Sequence, residues 1–268
     1  MRAIFANAVH TATPDDLPRL RELFAAANDT PYDLVRVAEE KCFGLGVSGA
    51  PVVTVFGDFL GCAVTCGKYL RLLAVHPSHR RQGVATQLLR DAYGRGARVV
   101  GAEGGNYFTP GVPIALSGFF ERFGRKTAET QNLICVPPAQ GQARVPVLHG
   151  ERERVLEFVK REFGDIWHFE ARNARTLHYL EHDGHIAGFA ANDANNRGLG
   201  FFGPTGVAKR LRGRGYGRAL LLASLEDMRQ HGYERAIIPW TDALDFYKKS
   251  CGAVVHERFA TFLLDSAP

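Results

Sequence analysis

One short loop motif occurs twice in this chain, roughly 132 residues apart, each time between an apolar, strand-like run and a helix-like run. The first copy extends from Val75 to Ala85 and the second from Val207 to Gly217. Both copies contain the pattern Arg-x-x-Gly-x-(Gly/Ala), and a pair of leucines follows each. A strand–loop–helix unit that recurs at this distance predicts an internal duplication at the scale of a domain.

The composition of the two loops favours an anion as the ligand. Small residues let the backbone approach a phosphate, and the helix that follows offers free N–H groups and the positive end of its dipole. Arginine adds a planar, bidentate donor that suits phosphate oxygens. The basic residues in and beside the loops are Arg80, Arg81, Lys209, Arg210, Arg212, Arg214 and Arg218.

The length of 268 residues, 46% of them hydrophobic, is enough for two compact domains of ordinary size or one large domain. A Pro/Gly-containing stretch at 137–142 reads as a connection. The sequence therefore predicts a first domain at 1–137, a linker at 138–150 and a second domain at 151–268.

Strands and helices alternate in both predicted domains, which favours an α/β fold with a mixed sheet and helices on both faces. In the first domain we expect helices at 13–24, 31–43, 83–93 and 115–123, and strands at 51–56, 59–64, 69–75, 97–101 and 132–136. In the second domain we expect helices at 151–163, 215–230 and 243–249, and strands at 176–181, 185–190, 199–205, 235–239 and 254–264.

Charge and cysteine content exclude several classes of function. The net charge of +5 comes from an arginine-rich surface, and no recognition-helix or RNP-like pattern accompanies it, so we expect no nucleic-acid partner. No run of about 18 apolar residues predicts a membrane span, and the start is too quickly polar for a signal peptide, which makes a cytoplasmic protein the expectation. The five cysteines lack metal-ligand spacing, so we expect free thiols and no metal.

A second segment, from Trp240 to Gly252, contains Ala243 and Tyr247 at a spacing similar to a helix motif of one enzyme family. Together with the two loops, this segment resembles the GNAT superfamily of acyl-CoA-dependent N-acyltransferases in a tandem, two-domain form. The resemblance implies two GNAT-like domains, each with a mixed, mostly antiparallel central sheet and helices on both faces. It also implies acetyl-CoA as the cofactor.

In this family the strand before the loop pairs its free backbone with the pantetheine arm, and the loop amides hold the pyrophosphate. By position, those strand groups belong to residues 73–75 and 205–207. The resemblance therefore implies two sets of cofactor-binding residues. They are Val75, Arg80, Arg81, Gln82, Gly83, Val84, Ala85 and Thr86 in the first domain, and Val207, Arg212, Gly213, Arg214, Gly215, Tyr216, Gly217 and Arg218 in the second.

Tyr247 stands where the family commonly carries its acid tyrosine. A phenol is neutral at pH 7 and can protonate the departing thiolate. The alternative is a tyrosine packed in the core with its hydroxyl bonded to the backbone. Because Phe120 occupies the equivalent position in the first domain, we expect the second domain to be catalytic and the first to be non-catalytic. The general base stays open among an ordered water chain and Glu170, His178, His182, Asp183, His185 and Asp193.

The Gly/Pro-rich segment at 104–113 carries Tyr107 and Phe108, which we expect to be exposed. It reads either as a tight connection or as a wall of the acceptor pocket. Together with Trp240, these residues resemble, more loosely, tandem acetyltransferases that act on glucosamine or glucosaminides. That likeness makes a small primary amine, such as an amino sugar, the expected substrate, and Tyr107, Phe108 and Trp240 the expected substrate-binding residues.

Two alternatives remain at this point. The acceptor could be a protein lysine or an N-terminus, or the chain could bind CoA as a regulatory protein without turnover. The length of the acyl chain and the oligomeric state stay open.

Overall fold

The computed structural model describes residues 8–138 and 145–266. The chain divides into two compact units: unit 1 contains residues 1–129 and 259–268, and unit 2 contains residues 130–258. Of the predicted linker at 138–150, residues 139–144 lie outside the described residues. None of the described helices has the length and apolar character needed to cross a membrane.

Strands and helices alternate along the described chain. The strands are β1 (Val9–Thr11), β2 (Val52–Phe56), β3 (Gly61–Cys66), β4 (Tyr69–Val75), β5 (Val99–Val100), β6 (Val112–Pro113), β7 (Gly124–Cys135), β8 (Leu148–His149), β9 (Thr176–His182), β10 (His185–Asn192), β11 (Phe202–Val207), β12 (Ala236–Ile238) and β13 (Val254–Leu264). The α-helices are α1 (Leu17–Ala27), α2 (Ala38–Phe43), α3 (Val84–Gly94), α4 (Arg152–Phe163), α5 (Asp165–Asn173), α6 (Tyr216–Gln230) and α7 (Leu244–Cys251). Short 3-10 helices cover Pro14–Asp16, Pro77–His79, Ile114–Arg122 and Lys209–Leu211.

The sheet of unit 1 follows the strand order β1-β2-β3-β4-β5, and the end of β13 continues it beside β5. Its pairs are antiparallel except for β4 and β5, which run parallel. The parallel pairing joins Tyr69 to Val99 and Leu70 to Val100 and then stops. Beyond Leu70, no strand of the described residues pairs with the edge of β4 on that side.

Unit 2 repeats this arrangement. Its four-stranded sheet has the antiparallel order β11-β10-β9-β8, and β12 pairs with the end of β7. A single parallel bridge joins Phe201 to Ile237 just before β11 begins. The strands then part, which leaves the edge of β11 open in the same way as that of β4.

The core of each unit lies between its sheet and its motif helix. Leu88 and Leu89 on α3, and Leu220 and Leu221 on α6, are fully buried. These are the paired leucines that follow each copy of the motif, so the repeated sequence serves the same packing role in both units.

The structure differs from the sequence-based expectation at several elements. The predicted helix at 31–43 is reduced to α2, because the Asn28 side chain bonds Thr30 and the Tyr32 carbonyl in a turn. Helix α5 was not predicted, and β8 forms inside the expected linker. Residues 259–268, assigned by sequence to the second domain, lie in unit 1, because Phe262 pairs with Val100.

Candidate functional site

Both motif loops have the same backbone conformation. The first loop places Arg81 at φ 63° and Gly83 at φ 85°, and the second places Gly213 at φ 80° and Gly215 at φ 81°. Left-handed residues alternating with right-handed or extended ones form concave nests of backbone N–H groups that bind anions. Glycine adopts this conformation without a steric penalty, whereas the left-handed Arg81 is an uncommon choice for a residue with a Cβ.

The space in front of both loops is open. A Cβ built on Gly83, Gly213 or Gly215 would meet no heavy atom within 4 Å. These glycines are therefore required by their φ angles and not by crowding. Because each loop leads directly into the N-terminus of α3 or α6, the open space can admit a phosphate group. The residues present thus fit the pyrophosphate of a CoA molecule in either unit.

The first arginine of each motif has a structural contact. Arg80 Nε donates to the Val75 carbonyl oxygen at 3.2 Å, and Arg212 Nε donates to the Val207 carbonyl oxygen at 3.3 Å. Arg80 also forms an ion pair with Asp29 at 2.9 Å. These guanidinium groups tie each loop to the end of its strand, and both terminal nitrogens of Arg80 also have partners, in Asp29 and the Ala27 carbonyl oxygen.

Two glycines that sequence reasoning did not single out bring the motif helices close to the sheets. Gly61 pairs with Val75, and Gly188 pairs with Val207. A Cβ at Gly61 would lie 2.8 Å from Val84 Cγ1, and one at Gly188 would lie 3.0 Å from Leu220 Cδ1. The two glycines stand at different distances in sequence from the motif that follows, so no common spacing could have identified them.

A cavity of about 850 Å³ lies in unit 1 beside the first motif. Its walls come from β4, from the loop that follows it, from the α1–α2 connection and from the 3-10 helix at 114–122. The lining residues that belong to the predicted cofactor set are Val75, Arg80, Arg81, Gly83, Val84, Ala85 and Thr86. The free edge of β4 and the anion-binding loop therefore face one common space.

The aromatic residues of unit 1 are less accessible than the sequence indicated. Tyr107 and Phe108 are buried, contrary to the expectation of exposed rings. Phe108 lines the cavity and contacts the ring of Tyr32 edge-on, with the centroids 6.2 Å apart. Phe120 also lines the cavity and stacks on Phe262 at 5.8 Å. The cavity wall thus has a phenyl ring where unit 2 has the phenol of Tyr247.

Tyr247 lies on α7 in the core of unit 2. Its ring contacts Phe246 and Phe202 at centroid distances of 4.9 and 6.3 Å, and Phe202 begins β11. Burial raises the pKa of Tyr247 well above the usual range of a phenol, so the hydroxyl keeps its proton at neutral pH. The structure gives this hydroxyl no hydrogen bond within the described residues, so the backbone-bonded alternative is not observed there.

The opposite face of β11 is covered by aromatic rings. A Cβ at Gly206 would lie 2.5 Å from Phe163 Cζ and 3.0 Å from Trp167 Cζ3, and these two rings stack at 4.9 Å. Trp240 precedes α7, is 38% exposed, and donates its backbone N–H to Asn132 Oδ1 at 3.1 Å. The partly exposed aromatic residues of unit 2 thus include Phe163 and Trp167 as well as Trp240, which the sequence analysis named.

The candidate bases lie in diverse surroundings. Asp193 pairs with Arg175 at 3.0 Å, and His182 Nδ1 lies 2.9 Å from the Tyr216 hydroxyl. His178 and Glu170 are buried, whereas Asp183 and His185 are exposed. The structure does not gather this set at one point.

Glu257 on β13 is a further candidate that sequence reasoning missed. One of its oxygens is buried without a hydrogen-bond partner in the described chain, and burial raises its pKa to about 7. A carboxylate with a pKa near neutrality suits general base catalysis. A lone glutamate in a strand offers no pattern from which this could have been predicted.

We expect the buried His178 to make unit 2 sensitive to acid. Its Nδ1 lies 3.2 Å from Ser224 Oγ, and burial lowers its pKa to about 4 from the ordinary 6.5. The unfolded chain then binds the proton more readily than the folded chain does. The contribution of neutral His178 to the free energy of unfolding is therefore fully present above pH 6.5 and is lost as the pH falls toward 4. The loss should be about 3 kcal/mol, and urea unfolding at pH 7.5 and 4.5 measures it.

The control for this prediction is His185→Gln, because His185 is exposed on the neighbouring strand. That variant should retain the pH dependence, and His178→Leu should reduce it. An equal pH dependence in His178→Leu and the wild type would contradict the assignment.

Within the described ranges, no three or more His, Cys, Asp or Glu side chains are grouped so that they could hold a metal ion.

Comparison with known proteins places both halves of the chain in one family. Residues 34–124 match the model described as the acetyltransferase (GNAT) domain, and residues 148–253 match the model of the acetyltransferase (GNAT) family. A mycothiol acetyltransferase from Saccharomonospora viridis is 28% identical over 211 residues, which are 64% of this chain and 65% of that protein. The chain thus spans slightly less than two thirds of that curated relative.

Solved structures show the same fold across nearly the whole chain. A GCN5-related glucosamine N-acetyltransferase region of a fungal multi-domain GH3 β-N-acetylglucosaminidase aligns with a TM-score of 0.75 and 18% identity, covering 97% of this chain and 38% of that one. A tandem GNAT protein from the clavulanic acid biosynthesis pathway aligns with a TM-score of 0.66 and 16% identity, covering 95% and 97%. At these identities the alignments establish the fold alone.

Proposed function

Because the chain belongs to the GNAT acetyltransferases in a tandem, two-domain form, we propose that it transfers an acetyl group from acetyl-CoA directly to the primary amine of a small molecule. The observation that carries the proposal lies in unit 2. There, an open anion-binding loop follows β11, and a buried, protonated phenol on α7 contacts the first residue of the same strand. These are the two groups that the donor end of such a transfer requires.

The chemistry divides among the residues of unit 2. When bound, acetyl-CoA supplies an activated thioester. The loop at 213–218 holds the pyrophosphate, and the open edge of β11 orients the thioester arm. As the amine nitrogen bonds to the carbonyl carbon and the carbon–sulfur bond breaks, Tyr247 gives its proton to the departing sulfur. The proton lost by the amine goes to a base. The candidate is Glu257, a carboxylate of the same unit whose Oε2 is buried without a hydrogen-bond partner among the described residues.

An amino sugar is the acceptor that we propose within this class. Aromatic rings stack on the apolar faces of sugar rings, and Trp240 and Trp167 offer partly exposed indoles in unit 2. One of the solved structures with this fold is described as a glucosamine N-acetyltransferase region, which supports the same acceptor class. The predicted roles of Tyr107 and Phe108 in substrate binding are less favoured, because both rings are buried in unit 1.

The experiment is an assay of free thiol released from acetyl-CoA in the presence of glucosamine, a lysine peptide or no amine. We expect release that depends on glucosamine, with N-acetylglucosamine as the product by mass spectrometry. Release with the peptide alone would move the acceptor to protein lysine. No release with any amine, although CoA binds, would favour a CoA-binding regulatory protein.

A further inference from the structure

Two cysteine thiols lie next to each other at the end of the helix that carries Tyr247. Cys251 is the last residue of α7, and its Sγ donates to the Tyr247 carbonyl oxygen at 3.2 Å. Cys135 is the last residue of β7 and pairs with Ala236 on β12. A hydrogen bond joins the thiols of Cys135 and Cys251, and both residues belong to unit 2. Two reduced cysteines thus meet one helical turn from the proposed proton donor.

The surroundings make Cys251 the more reactive thiol of this pair. Cys251 is partly exposed, whereas Cys135 is 5% exposed. The Cys135 thiol and the Ala253 backbone N–H both donate to the Cys251 sulfur, and together they lower its pKa although partial burial opposes the shift. The same thiol contact and burial raise the pKa of Cys135. Because a thiolate is the form that attacks an oxidant, Cys251 is suited to react first and Cys135 to react second.

A second pair of neighbouring thiols lies in unit 1 and differs in accessibility. Cys42 on α2 and Cys62 on β3 share a hydrogen bond, as the pair in unit 2 does, but both are 0% exposed. That contact and burial raise the pKa of Cys62. An oxidant in solution therefore has access to a thiol in the unit 2 pair and not in the unit 1 pair, which makes the unit 1 pair an internal control.

A disulfide between the unit 2 thiols would change the position of α7. Bonded sulfurs lie about 2.0 Å apart, much closer than two hydrogen-bonded thiols. Cys135 is held in β7 by its pairing with Ala236, so the approach falls to Cys251 and the last turn of α7. The S–H group that donates to the Tyr247 carbonyl oxygen is also lost. Because Tyr247 lies one turn before Cys251, its phenol moves with this part of the helix.

We propose that Cys135 and Cys251 form a reversible disulfide in the presence of a hydroperoxide, and that this bond suppresses acetyl transfer in unit 2 by displacing Tyr247. The suppression rests on the function proposed above, whereas the formation of the disulfide does not.

The reaction balances with hydrogen peroxide as the oxidant. The Cys251 thiolate attacks one peroxide oxygen, the O–O bond breaks, and the other oxygen leaves as hydroxide and takes up the proton that Cys251 released. Cys251 is then a sulfenic acid. The Cys135 sulfur bonds to the Cys251 sulfur, and the sulfenic oxygen leaves as water with the Cys135 proton. The two thiols lose two electrons in total, and the peroxide is reduced to two water molecules.

Treatment of the full chain with hydrogen peroxide, followed by dithiothreitol, tests both parts of the proposal. The number of thiols that can be alkylated after unfolding should fall from five to three, because two of the five cysteines are joined. Peptide mapping should find the Cys135–Cys251 crosslink. A displaced Tyr247 should lower kcat for amine acetylation by about 10²-fold, and dithiothreitol should restore it. Five remaining thiols, a crosslink elsewhere, or an unchanged kcat in the crosslinked protein would each overturn the proposal.

Cys135→Ala removes the second thiol of the pair and leaves Tyr247 and Cys251 in place. This variant should have the wild-type kcat when reduced, form no crosslink, and keep its kcat after peroxide. Cys62→Ala is the matched control, because it removes a buried cysteine of the unit 1 pair and should respond to peroxide as the wild type does. Loss of kcat in peroxide-treated Cys135→Ala would contradict the proposal.

If Cys135→Ala fails to fold, Cys251→Ala changes a partly exposed position and should likewise form no crosslink. Absence of acetyl transfer by the reduced wild type with any amine would refute the proposed function. The thiol count and the peptide map would then still decide whether the disulfide forms, so the two failures are distinguishable.

Discussion

Tyr247→Phe should lower kcat for amine acetylation by about 10²- to 10⁴-fold, the range that general acid catalysis contributes. The ring would still fill the core beside Phe202 and Phe246, so the fold and the affinity for CoA should be retained. What is lost is the proton for the departing thiolate. Steady-state kinetics with acetyl-CoA and glucosamine, paired with calorimetry for CoA, separate these two quantities.

Tyr179→Phe is the matched control, because Tyr179 is a buried tyrosine on β9 in the same unit. This substitution also removes a tyrosine hydroxyl, and it should leave kcat within about twofold of the wild-type value. Full activity of Tyr247→Phe would show that another group or a water molecule protonates the thiolate.

The pH profile of kcat/KM gives a second test of the same site. With Tyr247 protonated far above neutrality, activity should not decline on the alkaline side below about pH 10. If Glu257 is the base, activity should rise as the pH passes 7, and that limb should disappear in Glu257→Gln. An unchanged limb in Glu257→Gln would remove Glu257 from the mechanism.

Gly83→Glu and Gly215→Glu should each abolish one CoA site and leave the other. A carboxylate about 4 Å from a phosphate charge costs about 4 kcal/mol at an effective dielectric of 20, so the altered site should bind between a hundredfold and a thousandfold more weakly. Calorimetry should find two sites in the wild type and one in each variant. Only Gly215→Glu should lose acetyl transfer.

Gly184→Glu controls for backbone strain. Gly184 has φ 74° and open space around its Cβ position, as the loop glycines have, but lies in the β9–β10 turn. It should retain both sites. Loss of transfer in Gly83→Glu instead of Gly215→Glu would place catalysis in unit 1, and a single wild-type site would reject CoA binding by one of the units.

The conformation of the two loops was predictable from the sequence, because it depends on local stereochemistry. The two loops follow from stereochemistry: a left-handed residue at 83, 213 or 215 calls for glycine, and glycine stands at each. A pair of leucines follows each motif in the sequence, and α3 and α6 bury both pairs. The duplication was detectable in the sequence because both units contain the same strand–loop–helix motif.

Long-range packing decided what the sequence could not. No local pattern shows that Phe262 and Leu263 of β13 pair with β5, since this depends on which strand edge is left open in unit 1. Likewise, only the folded chain buries Tyr107 and Phe108 and desolvates the Glu257 carboxylate until its pKa reaches about 7.

The sequence by itself therefore determined that this chain has two strand–loop–helix units, because glycine conformation and hydrophobic spacing act within a few residues, and the motifs of these units carry the resemblance to the GNAT family. The tertiary structure alone decided that a cavity of about 850 Å³ lies in unit 1 and that the phenol of Tyr247 is buried. Residues that are far apart in the chain, such as Leu34 and Val112, line the same cavity. Their spacing in the sequence does not predict that contact.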